Sequence, residues 1–152
     1  MPLYSAIFAF LHHLAAFALV AVIVAQMILI NMELNLATAR RLQRLDILLG
    51  ASAAPLLIIG LLRVFYFEKG GDYYFGNAFF IAKFGLFLVI GLLSIIPTLE
   101  FLSWRKATNQ GQAPTVDAAK LRRVRMVIHI ELFGIVLILL CAAMMARLIE
   151  IF

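Results

Sequence analysis

Four apolar runs, each long enough to cross a lipid bilayer, constrain this chain more than any other feature. A hydrocarbon core of about 30 Å needs about 20 consecutive apolar residues in a helix. Residues 3–30, 47–67, 78–99 and 126–146 each meet that length. In lipid, backbone polar groups are satisfied only inside helices or closed barrels. The expected fold is therefore all-α: a single domain, residues 1–152, folded as an integral membrane four-helix bundle. The first run is interrupted only by Ser5, the pair His12-His13, and Gln26. No basic residue precedes it, and it is far longer than the ~7–15 residues of a signal-peptide core. It is expected to remain as a span.

Composition agrees with this picture. Hydrophobic residues make up 65% of the chain and charged residues 14%, against about a quarter charged in a soluble domain. Too few polar side chains remain to cover a water-facing surface. Cys141 is the only cysteine, so no internal disulfide forms, and it reads as a small hydrophobe within its apolar run. The net charge of +5 does not imply nucleic-acid binding, because the basic residues flank spans and carry no binding motif.

The connections differ in chemistry. Residues 31–46 read as a capped, basic, amphipathic extension feeding the second helix. Residues 68–77 (EKGGDYYFGN) read as a turn with interfacial tyrosines. Residues 103–116 read as a hydrophilic loop, with Asp117 a fair cap for a fourth helix starting outside the lipid. The first and third connections hold nine basic residues: Arg40, Arg41, Arg44, Arg105, Lys106, Lys120, Arg122, Arg123 and Arg125. The second holds Lys69 alone. By the positive-inside rule this bias puts those two connections in the cytoplasm and both termini outside, in an up-down-up-down arrangement. Ala9, Ala16, Gly50, Gly60, Gly85, Gly91 and Gly134 would let helices approach closely.

Ionisable side chains within spans are costly and are functional candidates by default. At ~1.5 Å per residue from the outer edge, His12 lies about 12 Å deep, Arg63 about 6 Å and Lys83 about 9 Å. Three helices thus bring polar side chains to one layer in the outer half of the bilayer. A tetrapyrrole would account for this layer. An imidazole ligates haem iron, two cations neutralise two propionates, and Phe8, Phe10, Phe17, Phe65, Phe79, Phe80 and Phe84 supply apolar walls. The alternative is that Arg63 and Lys83 reach back to the surface and the histidine bonds a neighbouring helix. Ser5, His12, Leu19 and Gln26 recur every seven residues and form one polar stripe. His12 is therefore the first candidate iron ligand and His13 the second. His129 lies about 13 Å of depth away from His12, too far to share one iron. With Asp46, Glu100, Arg125 and Glu131 it forms an inner polar belt, readable as helix-to-helix bonding, a proton path or a second site. No soluble-enzyme motif is present.

The strings FLHHLAAFALV, RRLQRLD, GLLRVFYFEKG, YYFGNAFFIAKFGLF and LLSIIPT resemble a family of small bacterial membrane proteins of uncharacterised function. The layout is more distantly similar to HemJ-type protoporphyrinogen oxidases. The shared points are a histidine early in the first helix (His12 or His13), an RxxR stretch (Arg41, Arg44) and a lysine in the third helix (Lys83). That resemblance implies bound haem b, a bacterial inner-membrane location with periplasmic termini, and functional roles for the histidine and Lys83, the latter catalytic. The chain departs from the HemJ pattern at Ile130-Glu131-Leu132 and at its C-terminal Ile149-Glu150-Ile151-Phe152. Two function classes follow. One is a haem-b redox protein that oxidises a porphyrin-type substrate or passes electrons to quinone. The other is a non-catalytic accessory subunit or small-solute transporter, within a homo-oligomer or a larger membrane complex.

Overall fold

A computed structural model describes residues 2–67 and 71–148; Lys69 and Ile149-Glu150-Ile151-Phe152 lie outside the described residues. The elements are α1 (Pro2–Ile30), α2 (Leu36–Leu62) continued by a π-helical turn (Arg63–Phe67), α3 (Gly71–Phe75), α4 (Ala78–Leu93), α5 (Ile95–Ser103), α6 (Arg105–Asn109) and α7 (Ala118–Leu148). Four helical stretches are long and apolar enough to cross a membrane: Leu3–Ile30, Leu36–Tyr66, Ala78–Asn109 and Ala118–Arg147. Large apolar side chains cover the outside, with Phe17 74%, Leu92 67% and Phe133 64% exposed. A water-soluble chain does not present such a continuous apolar surface; lipid does not penalise it.

Local chemistry sets the helix limits. Asn35 caps α2, its side chain accepting from the Thr38 amide, and Asn77 caps α4 by accepting from the amides of Phe79 and Phe80. The third span is interrupted at Ser94. Pro97 has no N–H to give the carbonyl of Leu93, so α4 ends at Leu93 and α5 starts at Ile95. The helices outrun their apolar runs. The basic stretch from Arg40 to Asp46 is already helical, and helix persists through Asn109, where a loop from residue 103 was expected. The glycine-rich connection, read as a turn alone, contains the single helical turn α3.

Packing pairs α1 with α2 and α7, and α4 with α7, while α5 approaches both α2 and α7. The bundle thus closes on itself at the end where α2 and α7 begin, which we call the basic end. There a core forms from Ile23, Ile30, Leu42, Phe101, Trp104, Val124 and Ile128. At the opposite, terminal end the backbone of α4 approaches neither α1 nor α2. That half is filled by side chains, with Val64, Tyr74 and Phe80 buried together and Tyr73 and Met145 against them. Of the glycines expected at helix crossings, only Gly60 and Gly134 have a neighbour there; Gly50, Gly85 and Gly91 face open space.

Candidate functional site

Two polar layers lie inside the bundle. The first is built on α1, around His12. The heptad stripe that contains it does turn inward: Leu19 and Gln26 are buried and His12 is half-buried, while His13 is exposed. The His12 ring rests its Cε1–Nδ1 edge on α2. A Cβ added at Gly60 would meet its Cε1 at 3.2 Å and its Nδ1 at 3.6 Å, so a side chain there would push the ring outward. The backbone of Leu56 lies beside the ring. Nδ1 is buried and makes no hydrogen bond among the described residues.

The cations expected in this layer do gather here. Arg63, His13 and Lys83 all lie close enough to act electrostatically on His12. Arg63 opens the π-helical turn at the end of α2, one turn beyond Gly60. Such turns widen the helix and recur at functional positions. Lys83 on α4 sits with its Nζ 5.1 Å from the centre of the Phe80 ring, a cation–π distance. Phe80 in turn stacks nearly parallel on Phe84, with centroids 6.1 Å apart and planes 6° apart. It also meets Tyr74 and Phe75 from α3, each with centroids at 5.3 Å. The one-turn α3 therefore folds back as an aromatic cover over the start of α4. The His12 and His13 rings stand 6.2 Å apart, edge to face.

Not every wall residue is inside. Phe10 and Phe17 are 64% and 74% exposed and lie on the outside; Phe65, 53% exposed, packs on Phe75; of the expected walls Phe80 and Phe84 remain, joined by Tyr74. The tyrosine was missed because a glycine-rich segment reads as a surface turn. Its contact with Phe80, at the start of the next helix, draws it in.

The second layer lies nearer the basic end. Glu131 on α7 is fully buried, and its Oε1 is 2.6 Å from the Ser94 hydroxyl. Thr98, one turn on, donates to Asp46 on α2 at 2.9 Å. Gln26 on α1 is 1% exposed, and neither of its amide atoms has a partner among the described residues. The expected inner belt is thus split. Glu131 and Asp46 belong to the interior, whereas His129 is exposed, with Nδ1 turned back to the Arg125 carbonyl at 2.7 Å. Glu100 accepts from the indole of Trp104 at 3.0 Å. Ser94 and Thr98 were not singled out from sequence. The signal for them is Pro97, which interrupts the third span beside both residues.

Among the described residues, no three His, Cys, Asp or Glu side chains gather into a group fit to hold a metal ion by themselves. No curated protein and no solved structure matches the chain. The chain belongs to the family described as predicted membrane protein (DUF2214), whose model matches residues 4–149.

Proposed function

We propose that this protein is a haem-b-binding redox protein of the bacterial inner membrane, with the haem in the terminal-end layer and the basic end in the cytoplasm. The observation that carries the reading is the state of the His12 ring. Its Nδ1 is buried and has no hydrogen bond among the described residues. An imidazole nitrogen without a protein partner is available to a metal. Gly60, against which the ring rests, then acts as a positioning residue for His12. Ligation needs the ring to swing off Gly60, because its Nδ1 edge now rests on α2; the neighbouring His13, already exposed, is the second candidate. Arg63 and Lys83 supply cations for two propionates from two further helices. Phe80 and Phe84 wall the macrocycle where α4 stands away from α1 and α2.

Bound haem supplies one-electron transfer, with quinone or a porphyrin-type molecule as the exchange partner. Lys83 is the group that holds or accepts a proton beside it. The layout points that resemble HemJ-type oxidases, His12 or His13, the Arg41–Arg44 stretch and Lys83, are in line with this reading.

The test is optical. Protein purified in detergent from cells supplied with haem shows a Soret band, and His12→Ala weakens or removes it. If only His13→Ala bleaches the protein, the ligand assignment moves to His13. A colourless wild-type protein overturns the haem reading altogether.

A further inference from the structure

We propose that Glu131 is an internal proton-binding site, reached from the basic end through a cavity that bottoms at Asp46. The site stands apart from the His12 layer and does not depend on haem.

A cavity of about 260 Å³ opens among Arg40, Arg44, Arg105 and Thr108 and is also lined by Asp46. Arg40 is fixed at its mouth by donating to the Thr108 carbonyl at 2.8 Å. Asp46 lies six residues further along α2, about 9 Å deeper. Two hydroxyls stand between Asp46 and Glu131: Thr98 donates to Asp46 at 2.9 Å, and Ser94, one turn away on the same span, stands 2.6 Å from Glu131 Oε1, so that a water is needed to join the two into a line. The cavity gives water access to the start of this line.

The far end demands both water and a proton. The Ser94 hydroxyl has one hydrogen but two acceptors within reach, the Ile90 carbonyl at 3.1 Å and Glu131 Oε1 at 2.6 Å. A proton on Glu131 resolves the conflict: the carboxyl donates to Ser94, and Ser94 donates to Ile90. On α1, Gln26 is 1% exposed. Its buried amide lacks both a donor and an acceptor partner among the described residues, and so does Glu131 Oε2. A metal ion cannot accept from an N–H, whereas water both accepts and donates, and buried water commonly serves such groups. An ionised carboxylate with no exposure at all is the costly alternative.

In this half of the bundle the titratable and charged groups on the elements around Glu131 are Asp46 on α2, Glu100 on α5, and Arg125 and His129 on α7; Lys83 on α4 and His12 and His13 on α1 belong to the terminal-end layer, and the arginines of α2 before Asp46 lie at the basic end. Loading is a single transfer: hydronium in the cavity gives its proton to the Glu131 carboxylate through the hydroxyl line and is left as water.

Infrared spectroscopy of the full chain in lipid nanodiscs at neutral pH tests this. Wild type should show a protonated-carboxyl C=O band that shifts in D2O. Glu131→Gln should remove it, Asp46→Asn should keep it, and Glu131→Asp should move it, which covers the case in which the glutamine variant does not fold. Thr98→Val keeps the side-chain shape but cuts the line, so deuterium should enter the band roughly tenfold more slowly. Absence of any band that depends on Glu131 overturns the proposal. So does a band that appears only when sodium and potassium are removed, which would make the site a cation site. Unchanged exchange in Thr98→Val overturns the path.

Discussion

The glycine under His12 shows how much a single missing side chain can position. A methyl at Gly60 would sit 3.2 Å from His12 Cε1, tighter than normal carbon contact, so the ring must give by a few tenths of an ångström. Glycine in a helix interior costs about 1 kcal/mol relative to alanine, and that gain offsets the squeeze. Gly60→Ala should therefore change thermal stability in detergent by less than about 1 kcal/mol while displacing the His12 ring. A larger side chain has no such compensation, and Gly60→Leu should cost about 1–3 kcal/mol. Gly50, with nothing within 4 Å of its would-be Cβ, is the internal control. Gly50→Leu should be neutral or stabilising, and equal melting of the two leucine variants would show that His12 does not rest on Gly60. A similar contrast holds at α4 against α7, where a Cβ on Gly134 would meet Ile90 Cδ1 at 2.5 Å. Gly134→Ala should lower the melting temperature, because Ile90 lies in the buried core and has little room to turn aside. Sequence alone pointed to small residues in general. It did not separate Gly60 and Gly134 from Gly50, Gly85 and Gly91, because facing direction depends on the neighbouring helix.

Elements were legible where lipid dictates them and obscure where other protein does. Apolar length located all four spans, since a stretch that crosses the bilayer must be both helical and apolar. Helix ends were less readable, because a helix can continue into water and hydropathy is silent there. The capped polar extension through Arg40–Asp46 reads as leading into α2 and is helical, whereas the polar segment through Asn109 reads as a loop and is helical too. The inward stripe of α1 was read correctly, as Ser5, His12 and Gln26 mark its phase in an otherwise apolar run. No such marker exists on α7, whose buried face (Val124, Val127, Ile128, Glu131, Ile135) carries one polar residue among apolar ones. Glu131 was accordingly placed in a belt near the interface rather than in the interior. The start of α4 offers a measurement at this scale. Asn77 Oδ1 accepts from Phe79 N at 3.0 Å and Phe80 N at 3.2 Å, so Asn77→Ala should cost about 1 kcal/mol. Amide exchange at Phe79, Phe80 and Ile81 should accelerate, while that of α7 stays unchanged. Equal protection in both proteins would show that the aromatic cover of α3, and not the cap, holds this end.

Whole-molecule orientation decides what each polar layer faces. The fold gathers the basic residues of two separate connections at one end, where Arg40, Arg41, Arg44, Arg105, Lys106, Lys120, Arg122 and Arg123 are all exposed. The other end carries both termini, α3 and an interfacial set of tyrosines, with Tyr4 61% and Tyr66 77% exposed. Exposed arginines and lysines beside short connections resist translocation, and aspartate and glutamate contribute little to that bias. The basic end should therefore stay in the cytoplasm. Alkaline phosphatase, which is active only outside the cytoplasm, reports this directly. Fused after Gly111, in the loop before α7, it should be inactive; fused after Gly76, in the turn before α4, it should be active. That result would leave the His12 layer in the outer half of the membrane and open the Asp46 cavity to cytoplasmic water. Replacing Arg122 and Arg123 by glutamine should weaken the bias without reversing it, because six exposed basic side chains of the gathered set remain. The opposite activity pattern in the wild type would exchange the two layers: the His12 cluster would then meet the cytoplasm, and Glu131 would draw its proton from outside.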